Sequence, residues 1–279
     1  MISTMTREIC RAAVLGMSQE ARDAMGELDR RLGTGPLTLL GAPGPHRALL
    51  DRARRCGALE GHVEDQAAPT RRVVIPMSGI APEWRRTWQA AGHELVDLTL
   101  ASVKRLHAMK ALLRGEGRRI VVAGYRDDPE CQALAGEGVT VVEDADGAAG
   151  LPFAPRTGLL CQTTLGERRF ATIELALRMR HPDSQVVAVD TRCPALVPRE
   201  KALPDLARRC ELIVVLADPA DRSGQALYEA ARCLGVAAMR AGDPDEAVPV
   251  GNARRIGLTA GTHTPDEQLA AFERRLRET

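Results

Sequence analysis

The sequence predicts a parallel α/β protein, and two features carry that expectation. A short β-rich apolar run, a cluster of Gly, Thr, Ser, Asp or Pro, and a stretch with helical spacing recur in that order about six times. The runs are apolar at consecutive positions, the pattern of strands covered on both faces by helices.

Taken along the chain, strands are expected at 36–40 (Pro36-Leu37-Thr38-Leu39-Leu40), 73–75, 94–98, 120–123, 139–142, 158–161, 185–189, 212–216 and 256–258. Helices are expected at 46–56, 82–91, 130–136, 170–180, 225–234 and 266–276, because each of these stretches sets an apolar stripe between charges. In the fourth of them Ile173, Ala176, Leu177 and Arg180 fall on one face. Thr264 as N-cap followed by Pro265 starts the last one. Three short segments, 64–70, 143–150 and 241–246, read as crossings or loops.

Composition excludes several function classes. The 279 residues carry 38 Lys+Arg against 37 Asp+Glu, a net charge of +1 that gives no electrostatic footprint for a phosphate backbone. Three Phe, two Tyr and two Trp leave little to stack on bases, so no nucleic-acid partner is expected. No apolar run approaches the ~20 residues of a membrane span, and Met1-Ile2-Ser3-Thr4-Met5-Thr6-Arg7-Glu8 has no apolar signal centre. A cytoplasmic protein without a membrane partner is the expectation. The seven cysteines are odd in number and scattered, with no CxxC or zinc-finger spacing, so neither disulfides nor a local metal motif is expected. No G-x-G-x-x-G, Walker A or G-x-S-x-G sequence occurs either, against nucleotide binding and nucleophile-elbow hydrolysis.

Ligands of open parallel sheets gather at the carboxyl ends of the strands, where loop amides and helix N-termini meet anions. The clusters to search are Gly41–His46, Met77-Ser78-Gly79, Gly124–Glu130, Gln162-Thr163-Thr164, Asp218–Gln225 and Thr259–Asp266. Gln162, Thr163 and Thr164 offer an amide and two hydroxyls to a phosphate or a substrate hydroxyl, and serve equally as a helix cap. His46 and His263 sit in loops before helices, placed to bind an anion or move a proton.

Two of these segments carry a family resemblance. Cys161-Gln162-Thr163-Thr164-Leu165 and Gly257-Leu258-Thr259-Ala260-Gly261-Thr262-His263-Thr264-Pro265 resemble the Q-T-T-L and G-[IV]-T-A-G-A-S-[AT]-P motifs of the LytB family, the hydroxymethylbutenyl diphosphate reductases of isoprenoid synthesis. Between them, Asp190-Thr191-Arg192-Cys193-Pro194-Ala195-Leu196-Val197-Pro198-Arg199-Glu200 resembles D-x-[IT]-C-x-A-T-x-x-R-Q, and upstream Val96–Ala101 and Asp128-Pro129-Glu130-Cys131 resemble F-D-A-T-C-P and H-P-E-V. The resemblance implies three small parallel-sheet lobes in a cloverleaf around a central cavity, divided here as 1–100, 101–190 and 191–279. It implies a 4Fe-4S cluster held by three cysteines, reductive dehydroxylation of 4-hydroxy-3-methylbut-2-enyl diphosphate or a related allylic compound, and an electron donor such as ferredoxin or flavodoxin. Carried over by position, Glu130 is the proton donor and Thr163 contacts the substrate hydroxyl. His46, Ser78, Gln162, Thr164, Arg222, Ser223 and His263 line the diphosphate site, and Cys193 is a cluster ligand.

The departures from the motifs define a competing reading. Leu100 replaces the family's middle cysteine. The first, in G-[FY]-C-x-G-V, corresponds either to Cys10 with extra residues after it or, without a gap, to the Leu15-Gly16-Met17-Ser18 stretch, which has no cysteine. Cys131 and Cys161 are possible substitutes. Pro45-His46 replaces H-N, Ser78 and Asp128 replace histidines, Asp221-Arg222-Ser223 replaces S-S-N, and His263 replaces a serine. An aspartate there repels a diphosphate by about 1 kcal/mol at a solvated 4 Å unless Arg222 compensates. The alternative is a cluster-free paralogue that binds or transforms a different small anionic ligand without the redox reaction.

Overall fold

The computed structural model describes residues 7–65, 67–136 and 138–278; residues 1–6, most of the segment read for a signal sequence, lie outside them. In chain order the elements are β1 (Glu8–Arg11), α1 (Gln19–Leu32), β2 (Thr38–Leu40), α2 (Arg47–Arg55), β3 (Leu59–Gly61), β4 (Arg72–Ile75), α3 (Pro82–Ala90), β5 (Glu94–Asp97), α4 (Ala101–Gly115), β6 (Arg119–Ala123), α5 (Pro129–Leu134) and β7 (Val139–Val142). They continue as α6 (Ala145–Ala149), β8 (Arg156–Cys161), α7 (Glu167–Arg180), β9 (Gln185–Val189), α8 (Leu196–Arg209), β10 (Leu212–Leu216), α9 (Arg222–Cys233), β11 (Ala237–Ala241), β12 (Arg255–Ala260) and α10 (Asp266–Glu278).

The strands form three four-stranded sheets, ordered β3-β2-β4-β5, β7-β6-β8-β9 and β1-β12-β10-β11. All pairings are parallel, so the expected parallel α/β class holds. Within each sheet the first strand of the local sequence is flanked by the second and third, with a fourth outside the third. In the last sheet the fourth strand comes from the N-terminus: Ile9 lies opposite Ile256 and Cys10 opposite Gly257. Residues 8–11 therefore pair with the C-terminal strands, whereas the sequence division grouped them with 12–100.

Two compact units follow from this. Residues 7–21, 45–48 and 194–278 make one, and 22–44 with 49–193 make the other. The first has a core of β10 and β12 residues such as Val214, Leu216, Ile256 and Leu258 under Leu269, Phe272 and Leu276 of α10. In the second, β6 and β8 are buried on both faces: Val121, Leu159 and Cys161 pack against α7 through Phe170, Ile173 and Leu177. Ile120, Val122 and Leu160 pack against Leu106 and Leu113 of α4. That two-sided burial is why these strands read as continuous apolar runs.

All nine expected strands and six expected helices form, with ends shifted by a few residues. The segment 143–150, read as a loop, contains α6, started by Asp144, whose carboxylate accepts from Gly147 N–H at 2.8 Å. The strands the sequence reading lacked, β1, β3 and β11, are all at sheet edges. No helix of the described residues is long and apolar enough to cross a membrane.

Candidate functional site

The topology selects where ligands can bind. In each sheet the first strand lies between the second and the third, so the strand order reverses there, and the crevice at the carboxyl ends of the first and third strands is the natural ligand position. The loops at these switch points are those after β2 and β4, β6 and β8, and β10 and β12. Ser78, Glu130, Gln162, Thr163, Thr164, Arg222, Ser223 and His263 all lie in these loops or the first turn beyond them.

A backbone hydrogen bond repeats in all three sheets just beyond the fourth strand. Leu100 N–H donates to Met77 O at 3.1 Å, Cys193 N–H to Thr163 O at 2.7 Å and Ser18 N–H to Thr262 O at 2.8 Å. Each acceptor is the second residue past the third strand of its sheet. Ser18, Leu100 and Cys193 are thus equivalent positions, and they are the positions the motifs assign to cysteine when the N-terminal motif is placed without a gap. Ser18 is buried and its hydroxyl accepts from Ala21 N–H, capping α1. Cys10 lies inside β1, with its thiol 3.8 Å from a Glu8 carboxylate oxygen. It is not in a strand-end loop.

These residues do not fit a four-iron cluster. Such clusters are held by three or four thiolates, and one of the three equivalent positions is a cysteine. All seven cysteines fall within the described residues, where no group of three or more His, Cys, Asp or Glu side chains is placed to hold a metal ion. The two substitutes considered from sequence are core thiols. Cys131 packs with Leu134 and Leu160, and burial pushes its thiol well above the usual range. Cys161 sits in β8, where burial outweighs the bonds from Thr191 and pushes the thiol up to about 12.

Around β6 and β8 the structure gathers Glu130 and the Gln162-Thr163-Thr164 turn. Asp128 caps α5 by accepting from Glu130 N–H at 2.9 Å, and Pro129 occupies the first helical position. This cap aims the Glu130 side chain at the turn. Its two carboxyl oxygens accept from Thr163 N–H and Thr163 Oγ1–H, both at 2.6 Å, and the pair is buried. Gln162 Oε1 accepts from Tyr125 N–H at 2.9 Å, and Nε2 donates to Thr164 Oγ1 at 2.9 Å. A Cβ at Gly124 would collide with Cys131 Sγ and the Gln162 side chain, so this approach needs glycine.

The other unit repeats that chemistry around β10 and β12. Ser223 Oγ accepts from Thr262 N–H at 2.8 Å and Oγ1–H at 3.0 Å, the counterpart of Glu130 with Thr163. Behind it lies Asp221, fully buried, which accepts from Ser223 N–H at 3.0 Å, Ser223 Oγ–H at 2.6 Å and His263 N–H at 3.2 Å. His263 Nδ1 is 3.2 Å from Thr262 Oγ1 and 3.5 Å from Asp221 Oδ2. Burial alone would raise the Asp221 carboxyl; the His263 imidazole and the Ser223 bonds outweigh it and hold it down at about 2. His46 is also buried here. Its Nδ1 accepts from Ala48 N–H at 3.3 Å and is 4.0 Å from Asp218 Oδ2, while its Nε2 has no hydrogen-bond partner among the described residues. Burial lowers its imidazole below the ordinary range despite Asp218 and Asp221.

Of the residues expected from sequence, Glu130, Gln162, Thr163, Thr164 and Cys193 share one set of loops; His46, Ser223 and His263 share another, with Arg222 in the first turn of α9. Ser78 is in neither. It follows β4, half-buried, with its hydroxyl 3.5 Å from Gly79 O. The repulsion expected at Asp221 is met not through Arg222 but by turning the carboxylate inward onto Ser223 and His263. Asp218, Thr262 and Arg199 lay in segments that the sequence singled out, but no role was given to them there. Arg199 is buried and donates to Gly16 O and Ala195 O, fixing the loop before Ser18. The Asp-x-Ser spacing after a strand was the legible signal for the Asp221 cap.

Comparison with known proteins agrees with this fold. The family model described as LytB protein matches residues 48–277. The chain is 30% identical over 277 residues to the 4-hydroxy-3-methylbut-2-enyl diphosphate reductase of Nitratidesulfovibrio vulgaris, covering 96% of this chain and 98% of that one. It is 28% identical to reductase 2 of that name from Burkholderia mallei, covering 84% and 74%. Among solved structures, the E-1-hydroxy-2-methyl-but-2-enyl-4-diphosphate reductase of Plasmodium falciparum shares the fold with a TM-score of 0.89 at 19% identity, over 97% of this chain and 88% of that one. An (E)-4-hydroxy-3-methyl-but-2-enyl diphosphate reductase gives 0.67 at 22% identity, over 98% and 100%. An α/β chain of three parallel sheets with polar switch-point loops is therefore a member of a defined fold family. The chain belongs to the LytB family.

Proposed function

We propose that the chain acts, as a LytB-type protein, on 4-hydroxy-3-methylbut-2-enyl diphosphate or a closely related allylic diphosphate. The observation that carries this reading is the buried Glu130–Thr163 pair, a carboxyl joined to a hydroxyl and an amide in the turn between β8 and α7. Thr163 meets the substrate hydroxyl and Glu130 supplies the proton that lets it leave as water. Family membership gives the reaction its direction, reductive dehydroxylation, with ferredoxin or flavodoxin as external electron donor. Among the described residues no set of thiolates is placed to hold a cluster that would carry the two electrons.

A second reading is favoured by one specific observation, the serine and leucine at Ser18 and Leu100 beside a single cysteine, Cys193. In it the chain keeps the ligand and lacks the reduction. Calorimetric titration of anaerobically purified protein with the hydroxylated diphosphate tests what both readings share. Saturable binding with Kd on the order of micromolar is expected, and no saturable heat would overturn the proposal. Iron and acid-labile sulfide in the same preparation separate the two: stoichiometric amounts support the reductase, and their absence supports the ligand-binding paralogue.

A further inference from the structure

The seven cysteines are scattered along the chain, and the fold brings two of them together. β1 is the edge strand of its sheet, and Cys10 lies opposite Gly257 of β12. Paired residues of a parallel ladder project their side chains to the same face, so Cys10 points to the side on which Gly257 has none. A Cβ on Gly257 would lie 3.4 Å from Cys210 Sγ, 3.4 Å from Leu206 Cβ and 3.3 Å from Ile213 Cγ1. The missing side chain lets the Cys210 thiol, at the C-cap of α8, reach over β12 toward β1. There its S–H hydrogen-bonds to Cys10 Sγ. Neither cysteine is in a disulfide, and each is 7% exposed, against 1% for Cys131 and 0% for Cys161.

The charges around the pair are mixed. Cys10 Sγ is 3.8 Å from Glu8 Oε1, while Arg209 is close enough to act on both sulfurs and Arg255 on Cys210. The guanidinium groups favour a thiolate and the carboxylate opposes it. Burial and the neighbouring Cys10 push the Cys210 thiol up to about 12. Cys210 therefore holds its proton, and Cys10 is the sulfur that attacks first.

The geometry points to Cys10 and Cys210 as a redox-active dithiol, a modification site at which a low-molecular-weight disulfide such as glutathione disulfide is the oxidant. The Cys10 thiolate attacks one sulfur of glutathione disulfide, which forms a mixed disulfide and releases one glutathione thiolate to take a proton from solvent. With Cys10 in the mixed disulfide it no longer opposes ionisation of its neighbour. Cys210 then gives its proton to solvent and displaces the second glutathione. Two electrons pass from the two protein thiols to the oxidant, and the products are one protein disulfide and two molecules of glutathione. The new bond fastens β1 to the end of α8. Otherwise β1 is held in its sheet from one side, through β12, and it leads into the segment whose Ser18 N–H meets Thr262 O. This chemistry goes beyond the ligand and reaction proposed above and is independent of them.

The test exposes the folded, fully reduced wild-type chain to excess glutathione disulfide, blocks the remaining thiols with N-ethylmaleimide and maps unreduced tryptic peptides by mass spectrometry. Cleavage after Arg7, Arg11, Arg209 and Arg222 puts the two cysteines on separate peptides, 8–11 and 210–222. In most molecules these are expected as one linked species, two hydrogens lighter than their sum, and dithiothreitol is expected to part them. The oxidised protein should melt higher by roughly 4 °C or more, and Cys210→Ser should lose that rise while Cys10 keeps a bound glutathione. The exposed Cys56 and Cys233 report that the oxidant has acted. Peptide 8–11 recovered without its link to 210–222, while those two carry glutathione, would overturn the inference, and so would a melting temperature that the link leaves unchanged. If Cys210→Ser does not fold, the linkage in the wild-type chain, its reversal and its effect on melting decide the outcome alone.

Discussion

Thr163→Val removes one hydroxyl and leaves the shape of the side chain unchanged. The lost contact is the 2.6 Å bond from Thr163 Oγ1 to a Glu130 oxygen, between two buried residues. Buried hydrogen bonds to an acidic group are worth about 1–3 kcal/mol, and an acceptor left without its donor costs toward the upper end. The Thr163 N–H remains bonded to the other oxygen, so Glu130 is not stranded, and a loss of about 2 kcal/mol is expected. For a chain of this size that lowers Tm by roughly 4–8 °C. Differential scanning calorimetry of wild type, Thr163→Val, Glu130→Gln and the double variant measures it, and the cycle should return a coupling of about 1 kcal/mol or more. A shift of under about 1 °C, or additive single effects, would show that the two side chains do not act as a pair and would refute the site as drawn.

Other positions give independent checks. Gly224→Ala puts a methyl group into the Cβ of Ala217 at the end of β10; overpacking of about 1–3 kcal/mol is expected to exceed the helix-propensity gain, and Ala217→Gly in the same chain should relieve it, as read by urea denaturation. Asp221 is held near 2, below the ordinary carboxylate value, so its contribution of about 2 kcal/mol is fully present above pH 4 and fades as pH falls toward 2. The stability gap between wild type and Asp221→Asn should close over that window; a constant gap would contradict the sign. Alkylation by iodoacetamide at pH 8 should modify the exposed Cys56 and Cys233 rapidly and leave Cys131 and Cys161 unmodified in folded protein, as followed by mass spectrometry. Fast modification of Cys161 would mean that its thiol is not buried as described.

The doubly buried strands were legible because burial on both faces writes an uninterrupted apolar run, as in β10 with all five residues buried. Edge strands were not. β3 exposes Leu59 and Glu60, β11 is half-buried through Ala238, Met239 and Arg240, and β1 is four residues with exposed ends. The helix α4 has Leu100 at its N-cap and α8 has Ala195, neither of which makes a side-chain cap, so both lack a start signal, and Pro204 interrupts the helical pattern of α8. At the site, strand ends marked the segments that hold Glu130, Thr163 and His263, and the roles of Glu130 and Thr163 came from the motif resemblance. The inward-facing carboxylate of Asp221 has no local sequence pattern, and the choice between Cys10 and the ungapped Ser18 stretch, open in the sequence, needed the repeated backbone bond.

The account rests on the Glu130–Thr163 pair meeting a ligand hydroxyl, and one measurement addresses it directly. Calorimetric affinities are compared for 4-hydroxy-3-methylbut-2-enyl diphosphate and for the same diphosphate without its 4-hydroxyl. A site built to hydrogen-bond that hydroxyl should bind the hydroxylated compound at least about tenfold more tightly, about 1.4 kcal/mol, and Thr163→Val should erase the difference. Equal affinities in the wild-type protein would contradict the account, because the diphosphate end would then be the whole of what the chain recognises.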